Sequence, residues 1–425
     1  MRQKTIHFHT QGCRLNQSET ATLQQVFEND YRIVGDHLNA DIVVINTCTV
    51  TENGDSDTRR LINKINLNSP DTKIALIGCQ SQILKEKLLE YKNVQWVIGN
   101  QEKMSLKPII DHTWDSKTPT ILVNKIKRDS FTVEKPSIDL QHTRPSLKIQ
   151  DGCDFYCSFC VIPFARGPAR SRVFSDILSE AKTLALLGYP EIVLTGINVG
   201  TYQDEKYTFL DVIKALEEIE GIKRIRISSI EPTTVPLELF QHMITGKVCP
   251  YLHLPIQSGS DAVLKAMSRK YTVSQYRDFV LLAKSTVKNL CLGTDVIVGF
   301  PLETQEYFDE TVLQLMTLPI DYFHVFRYSE RKFARSQKFS KIHSLESKKR
   351  SQILRTLSQK KRLAFHQSYL NTEEEILVEH EKQGWLYGMT KQFIKVKFQG
   401  QQRPKDLIKV RLLEAHATHM VGQLI

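Results

Sequence analysis

Three apolar runs in the first hundred residues stop at or just before a cysteine, and they constrain the fold more than any other feature. KTIHFHT (4–10) runs toward Cys13, DIVVINT (41–47) meets Cys48, and KIALIG (73–78) meets Cys79. Stretches of helical period separate them: Asn16 to Glu28, about Asp55 to Leu67, and Ser81 to Tyr91. VQWVIG (94–99) adds a fourth run. Strands spaced by helices mean crossover connections and a parallel sheet. In an open parallel sheet the carboxyl ends of the strands share one edge, where ligands bind. Cys13, Cys48 and Cys79 lie 35 and 31 residues apart, yet they are expected to converge on that edge. The plain alternative is three unrelated buried thiols, a common fate for cysteine.

A second set is local. GCDFYCSFC (152–160) spaces Cys153, Cys157 and Cys160 as C-x3-C-x2-C. Three thiolates cannot close a structural zinc site, which takes four protein ligands. They can hold three irons of a [4Fe–4S] cube, leaving the fourth iron open. A zinc loop with a remote fourth ligand is the competing reading. Phe155, Tyr156 and Phe159 are expected to pack the loop and keep water from it. Cys249 and Cys291 fit neither set and are read as buried small hydrophobes.

With 425 residues, two to three domains are expected. No run reaches 18 apolar residues, so no membrane helix is expected. The start, MRQKTIHFHT, lacks an apolar signal segment. Eight cysteines without an export signal suit thiols and metal ligands in a reducing cytoplasm. The net charge of +10 is uneven: residues 331–362 hold twelve Lys/Arg against one acid, Glu346. A basic stretch with so little interleaved acid reads as a phosphate-binding footprint, the competing reading being a solvated helix face.

The expected organisation is a multidomain α/β chain. An N-terminal open parallel α/β sheet covers 1–110, a connector 111–138, a strand–helix core 139–368, and a β domain 369–425. The core shows six strand–helix repeats, too few for a closed eight-unit barrel. Its strand ends are polar or carry glycine at Thr195, Gly196 and Asn198, at Ser228, and at Gln257. In barrels of this type chemistry sits at the carboxyl ends of strands. A turn or helix cap is the plain reading of each such residue. Residues 369–425 hold five short runs of period two, consistent with a small OB-like β-barrel. Lys391, Lys395, Lys397, Arg403, Lys405, Lys409 and Arg411 are its candidate phosphate contacts, or merely the wet face of a sheet.

The C-x3-C-x2-C array resembles the signature of the radical S-adenosylmethionine (SAM) enzymes. TQGCRLNQSET (10–20), VINTCTVTENGDSDTRR (44–60), LIGCQSQ (76–82), IQDGCDFYCSFCVIPFARGPARSR (149–172), SSIEP (228–232), HLPIQSGSDAVLKAMSRKYT (253–272) and TDVIVGFPLET (294–304) resemble the methylthiotransferases within that superfamily. The resemblance covers nearly the whole chain. It implies a partial (β/α)6 radical SAM barrel and a C-terminal TRAM domain that holds RNA. It also implies two [4Fe–4S] clusters, one on Cys153, Cys157 and Cys160 that binds SAM, the other on Cys13, Cys48 and Cys79. By the same resemblance Thr195, Gly196, Asn198, Ser228 and Gln257 line the SAM pocket. After the last barrel strand the family reads roughly Tyr-Ser-x-Arg-x-Gly-Thr-x-Ala. Here Tyr328, Ser329 and Arg331 match, but KFARSQKF follows and the Gly-Thr pair is missing.

The implied reaction replaces an unactivated C–H by C–SCH3, using one SAM as methyl source and a second as radical source. It also needs an electron donor and a sulfur source. The three motif contexts around Cys48, Cys153 and Ser228 resemble the branch acting on N6-threonylcarbamoyladenosine at position 37 of tRNA. The other branches act on isopentenyladenosine in tRNA or on an aspartate of a ribosomal protein. The basic stretch favours tRNA, because phosphates dominate RNA affinity. A substrate carboxylate would want a cation, and Arg166, Arg170 and Arg172 are the candidates. A non-catalytic Fe–S protein that binds RNA and a radical methylase are the readings from other classes. The N-terminal cysteine set argues against the second.

Overall fold

A computed structural model describes residues 2–49, 52–136 and 143–425. The chain forms two compact units. The first comprises Met1–Asp139, Ser146–Asp176 and Ser329–Gln337; the second comprises Leu140–Pro145, Ile177–Tyr328 and Lys338–Ile425. The boundary expected at 138/139 lies outside the described residues.

The first unit is built on a parallel sheet. Its elements are β1 (Thr5–Thr10), α1 (Arg14–Phe27), β2 (Arg32–Ile33), β3 (Ile42–Thr47), α2 (Glu52–Asn68), β4 (Lys73–Gly78), α3 (Cys79–Leu84), β5 (Val94–Ile98), α4 (Leu106–Thr113) and β6 (Thr120–Leu122). The strand order is β2-β1-β3-β4-β5-β6. Every residue of β3 is buried, as a strand covered on both faces requires. One face packs Phe8, Val44, Ala75, Ile77 and Trp96. The other packs Val43, Ile45, Ile74, Leu76 and Val97 against Ile62 and Ile65 of α2. β6 comes from the segment read as a connector, and it pairs with β5 through Trp96↔Thr120. The single helix expected over 81–91 is instead α3 followed by a 3-10 turn, Lys85–Glu90. The break falls at Lys85, whose φ of +51° leaves the helical region.

Also in this unit are β7 (Ser146–Lys148), β8 (Gln150–Asp151), α5 (Ile162–Ala165) and β9 (Arg170–Ser171). β8 and β9 pair antiparallel, Gln150↔Ser171 and Asp151↔Arg170, and close the cysteine loop at its base.

The helix α6 (Phe174–Leu186) spans the division between the units. Of the six repeats of the partial barrel, five lie wholly in the second unit. They are β10 (Glu191–Thr195), a hairpin β11 (Gln203–Asp204) and β12 (Tyr207–Thr208), α7 (Phe209–Glu217), β13 (Arg224–Ile227), α8 (Leu239–Ile244), β14 (Tyr251–His253), α9 (Asp261–Ala266), α10 (Val273–Thr286), β15 (Cys291–Val298), α11 (Gln305–Thr317), β16 (Tyr322–Arg327) and α12 (Ser344–Gln367). β10 pairs with β13, β14 with β15, and β15 with β16, all parallel. A parallel bridge, Ile225↔Val248, joins β13 to the start of the β14 segment. Sequence chemistry fixes the helix starts: Thr272 and Gln275 form a reciprocal capping box at α10, worth about 1 kcal/mol.

The basic stretch becomes α12 and the segment before it, and much of it is spent on packing. Arg350 donates to Glu303 Oε2 at 2.7 Å, Lys361 to Leu318 O at 2.9 Å, and the Arg362 guanidinium lies 4.0 Å over the Tyr322 ring. Lys338, Lys348, Lys349 and Lys360 remain exposed. The last five strands, β17 (Glu373–Lys382), β18 (Trp385–Thr390), β19 (Lys395–Phe398), β20 (Leu407–Ala415) and β21 (Met420–Leu424), close into a barrel in the order β17-β18-β19-β21-β20. Val396, Phe398, Val410 and Leu412 fill it. The alternating Lys395 and Lys397 face outward and lie 4.9 Å over Tyr387 and Trp385.

Candidate active site

Both cysteine sets belong to the first unit. Cys13 is the N-cap of α1, Cys48 directly follows β3, and Cys79 opens α3 after β4. Because β1, β3 and β4 are neighbours in the parallel sheet, the three share its carboxyl edge. Gly12 makes the approach close: its φ is +88°, and a Cβ there would sit 2.7 Å from both Cβ and Sγ of Cys48. Cys13 is exposed, Cys48 half-buried and Cys79 buried, so the set opens to one side.

Cys153, Cys157 and Cys160 are all half-buried on a loop held at both ends. The Cys153 amide donates to Gly167 O at 3.1 Å, and the Cys160 amide to Cys157 O at 3.0 Å. Gly152 has φ +73°, and a Cβ on it would lie 2.0 Å from Pro168 O. Residues 329–337, where the expected Gly-Thr is missing, buttress this loop. The Ser336 amide donates to Ser158 O at 2.8 Å, Arg335 to Tyr156 O at 2.7 Å, and Phe333 stacks on Phe164 at 5.7 Å. Phe155 and Phe159 are half-buried, while Tyr156 is exposed.

The three candidate arginines do not form one patch. Arg166 is fully buried and forks onto Asp151 at 2.9 Å, Glu19 at 3.1 Å and Asn16 at 2.5 Å. Arg170 reaches Asp151 at 3.3 Å. Arg172 is buried and paired to Asp176 at 2.6 Å, four residues on. Arg166 and Arg172 are thus enclosed by carboxylates of this chain, which removes them from a surface that a substrate carboxylate could reach.

Glu19, Asn100, Lys103 and Lys148 complete a network around Arg166 that the sequence reading missed. Lys103 donates to Glu19 and, at 2.7 Å, to Asn100 Oδ1. Lys148 donates to both Glu19 and Asp151 at 2.8 Å. Asn100 Nδ2 lies 2.6 Å from Ala165 O and 3.6 Å from Cys79 Sγ. Burial alone would raise the Glu19 carboxyl, but Arg166, Lys103 and Lys148 overcome it and hold Glu19 far below the usual carboxylate range. Burial draws the Lys103 ammonium down to about 8 against the pull of Glu19. The available signal was the helix spacing of Asn16 and Glu19 on α1, polar residues three apart on a buried face.

In the second unit, Thr195 ends β10, and the Ser228 amide, just past β13, donates to Leu194 O at 3.1 Å. Asn198 is buried, its Oδ1 accepting from the Glu231 amide and the Thr234 hydroxyl at 3.1 and 2.9 Å. Gln257 has φ +65° and bridges Val296 of β15. The Ser228 hydroxyl is buried without a hydrogen-bond partner among the described residues. An orphaned polar atom at a strand end fits a polar ligand there. Strand register also assembles a group no motif announced. Asp295 pairs with His324 across β15 and β16, and His253 pairs with Gly293 two residues earlier. His253 Nε2 lies 2.9 Å from Asp295 Oδ1, the His253 and His324 rings are 5.6 Å apart, and the polar atoms of all three lie within 4.8 Å of one another. Desolvation and the neighbouring His253 lower the His324 pKa, favouring its neutral form.

Two three-thiolate sets, one on a C-x3-C-x2-C loop followed by parallel strand–helix repeats, define a radical SAM protein with an additional cysteine-bearing domain. The Radical SAM superfamily model matches residues 147–315, and the model described as Uncharacterized protein family UPF0004 matches residues 5–99. The chain is 36% identical to the threonylcarbamoyladenosine tRNA methylthiotransferase MtaB of Aquifex aeolicus over 95% of its own length and 99% of that protein. It is 35% identical to MtaB of Bacillus subtilis, covering 99% and 96%. It therefore belongs to the MtaB-type family of radical SAM methylthiotransferases. A tRNA-2-methylthio-N(6)-dimethylallyladenosine synthase of Staphylococcus aureus is 33% identical over 77% of this chain and 66% of that one. Among solved structures, the radical SAM methyltransferase TsrM of Kitasatospora setae shares the fold, with a TM-score of 0.57 at 14% identity over 77% of this chain and 75% of that one. Among the described residues no helix is long and apolar enough to cross a membrane.

Proposed function

We propose that this chain methylthiolates N6-threonylcarbamoyladenosine at position 37 of tRNA, giving the 2-methylthio nucleoside. The observation that carries the reading is the pair of cysteine sets, held in one unit of a chain alike over its whole length to enzymes named for this reaction. Cys153, Cys157 and Cys160 are assigned to the SAM-binding [4Fe–4S] cluster, and Cys13, Cys48 and Cys79 to the second. The donor sets fit: each offers three cysteines, enough for three irons of a cube, and neither set is wholly buried. When bound, these groups supply the electron that cleaves SAM to a 5′-deoxyadenosyl radical and a place to hold sulfur; the carbon bond is too inert for acid–base chemistry.

The protein's own residues bind and orient. Strand ends at Thr195, Gly196, Asn198, Ser228 and Gln257 are assigned to SAM, with the unpaired Ser228 hydroxyl offering a hydrogen bond. The His253–Asp295–His324 group is assigned to the threonylcarbamoyl substituent. That substituent presents hydroxyl and N–H donors with carbonyl and carboxylate acceptors, matching a carboxylate between two imidazoles. An isopentenyl group offers neither. The exposed lysines of α12 and of the closing barrel supply phosphate contacts. An external electron donor and sulfur source complete the reaction, in a reducing cytoplasm.

The test is nucleoside mass spectrometry of tRNA from cells with and without the protein. Loss of 2-methylthio-N6-threonylcarbamoyladenosine with accumulation of its unthiolated precursor is expected. Loss of the isopentenyl form would move the substrate, and unchanged tRNA would remove tRNA as substrate. SAM cleavage by the reduced, reconstituted protein would separate an enzyme from a non-catalytic Fe–S protein.

A further inference from the structure

The network around Arg166 does not balance. Among the described residues, Arg166, Arg170, Lys103 and Lys148 pair with Glu19 and Asp151, four cations against two carboxylates. Arg166 and Lys103 are wholly buried. Lys148 and Arg170 are half-buried, and their excess positive charge makes the site favourable for an anion beside it. Lys103 reaches the thiol of Cys79 through Asn100, whose Nδ2 lies 3.6 Å from Cys79 Sγ. The Nε of Arg166 is buried with no hydrogen-bond partner among the described residues. A [4Fe–4S] core held by three thiolates is an anion, and reduction adds a further negative charge.

Geometry ties the same side chains to the other cysteine loop. Arg166 lies six residues after Cys160. Asn100 spans the gap, from Cys79 Sγ to the carbonyl of Ala165, while its Oδ1 takes Lys103. Cys79 itself packs against Val161 and Ala165.

We propose that Arg166, Lys103 and Asn100 are positioning residues that set the reduction potential of the cluster on Cys13, Cys48 and Cys79 and lock that set to the loop following Cys160. This rests on the assignment of a cluster to the N-terminal cysteines. Cations and an N–H close to cluster sulfur stabilise the reduced form, since net charge and hydrogen bonds to sulfur are the protein's main controls of potential. Their removal moves the potential in the negative direction.

The experiment is an anaerobic redox titration of the reconstituted full-length enzyme followed by electron paramagnetic resonance. Addition of SAM perturbs the signal of the cluster on the 153–160 loop and so tells the two apart. Lys103→Met, Asn100→Ala and Arg166→Met are each expected to shift the midpoint of the SAM-insensitive cluster to lower potential. Lys103→Arg and Arg166→Lys should restore most of the shift, and the SAM-sensitive midpoint should stay in place. If Lys103→Met and Asn100→Ala hold wild-type iron and leave the midpoint unmoved, the network is structural only and the proposal fails. These two variants carry the test should Arg166→Met not fold. Wild-type protein with only about four irons and no SAM-insensitive signal would instead remove the underlying cluster assignment.

Discussion

Two buried ion networks, one in each unit, use the same ingredients to different ends. In the second unit Arg144, Arg224 and Arg226 meet Glu191, Glu375 and Glu379, three charges against three, with the half-exposed Lys391 at the rim. The spare donors of Arg224 and Arg226 end on backbone: Arg226 on Thr390 O and Lys391 O at 3.0 Å, Arg224 on Glu375 O at 2.6 Å and Met389 O at 3.1 Å. That network is balanced in charge apart from the rim lysine, and it joins β10 and β13 to the terminal barrel. Among the described residues the network around Arg166 holds two more cations than carboxylates and ends beside the thiol of Cys79. A balanced ion cluster secures a fold; one with a positive excess beside a thiol is suited to an anion that is not protein.

The largest effects are expected at the two central arginines. Arg226→Met and Arg166→Met each take a charge-assisted hydrogen-bond partner from a buried glutamate that keeps its other cations, and should each cost about 2–3 kcal/mol, read by denaturant unfolding. Only Arg166→Met should alter iron–sulfur spectra. Equal spectra in both would erase the distinction between the networks. Next come the two glycines beside the cysteines. Gly12→Ala forces a side chain onto Cys48 at positive φ, and should lose about half the iron and the methylthio product while SAM cleavage persists. Gly152→Ala strikes Pro168 O and should abolish SAM cleavage. Iron analysis and 5′-deoxyadenosine release check the pair.

A smaller effect is expected at the histidines of the second unit. His324→Phe should reduce kcat/KM on threonylcarbamoyl-tRNA by about tenfold, the cost of roughly one hydrogen bond of 1.4 kcal/mol, with both clusters retained. Unchanged kcat/KM would remove the substituent contact. The smallest effect concerns the cysteines outside both sets. Burial pushes the Cys249 thiol up to about 11 and the Cys291 thiol well above its ordinary value. A raised pKa keeps the thiol protonated until pH passes that value, so at pH 8 iodoacetamide should label exposed Cys13 of the cluster-free protein and spare both. Mass spectrometry of the labelled peptides decides it, and rapid labelling of Cys249 would contradict its burial.

Much of this architecture was legible because period and position carry it. The apolar runs ending at Cys48 and Cys79 could only be central strands, and their helices followed from crossover geometry. The five period-two runs after residue 369 likewise became five strands. What escaped depended on partners distant in sequence. Arg166 looked like a surface cation because its charge is visible and its enclosure by Glu19, 147 residues away, is not. His253, Asp295 and His324 sit in three separate stretches, and only the register of β14, β15 and β16 unites them. The basic stretch was equally deceptive, because Arg350 within it is buried on Glu303 rather than free for phosphate.

The segment 329–337 has a consequence for how the protein is made. It leaves the ribosome after the last barrel strand, yet it belongs to the first unit and closes on the loop of Cys157 and Cys160. The first unit therefore cannot finish folding as a nascent domain; it waits until the strand–helix repeats have emerged. The loop of Cys153, Cys157 and Cys160 is in this way left unbuttressed until most of the polypeptide exists, so a prematurely terminated chain carries these cysteines without the segment that holds their loop in place.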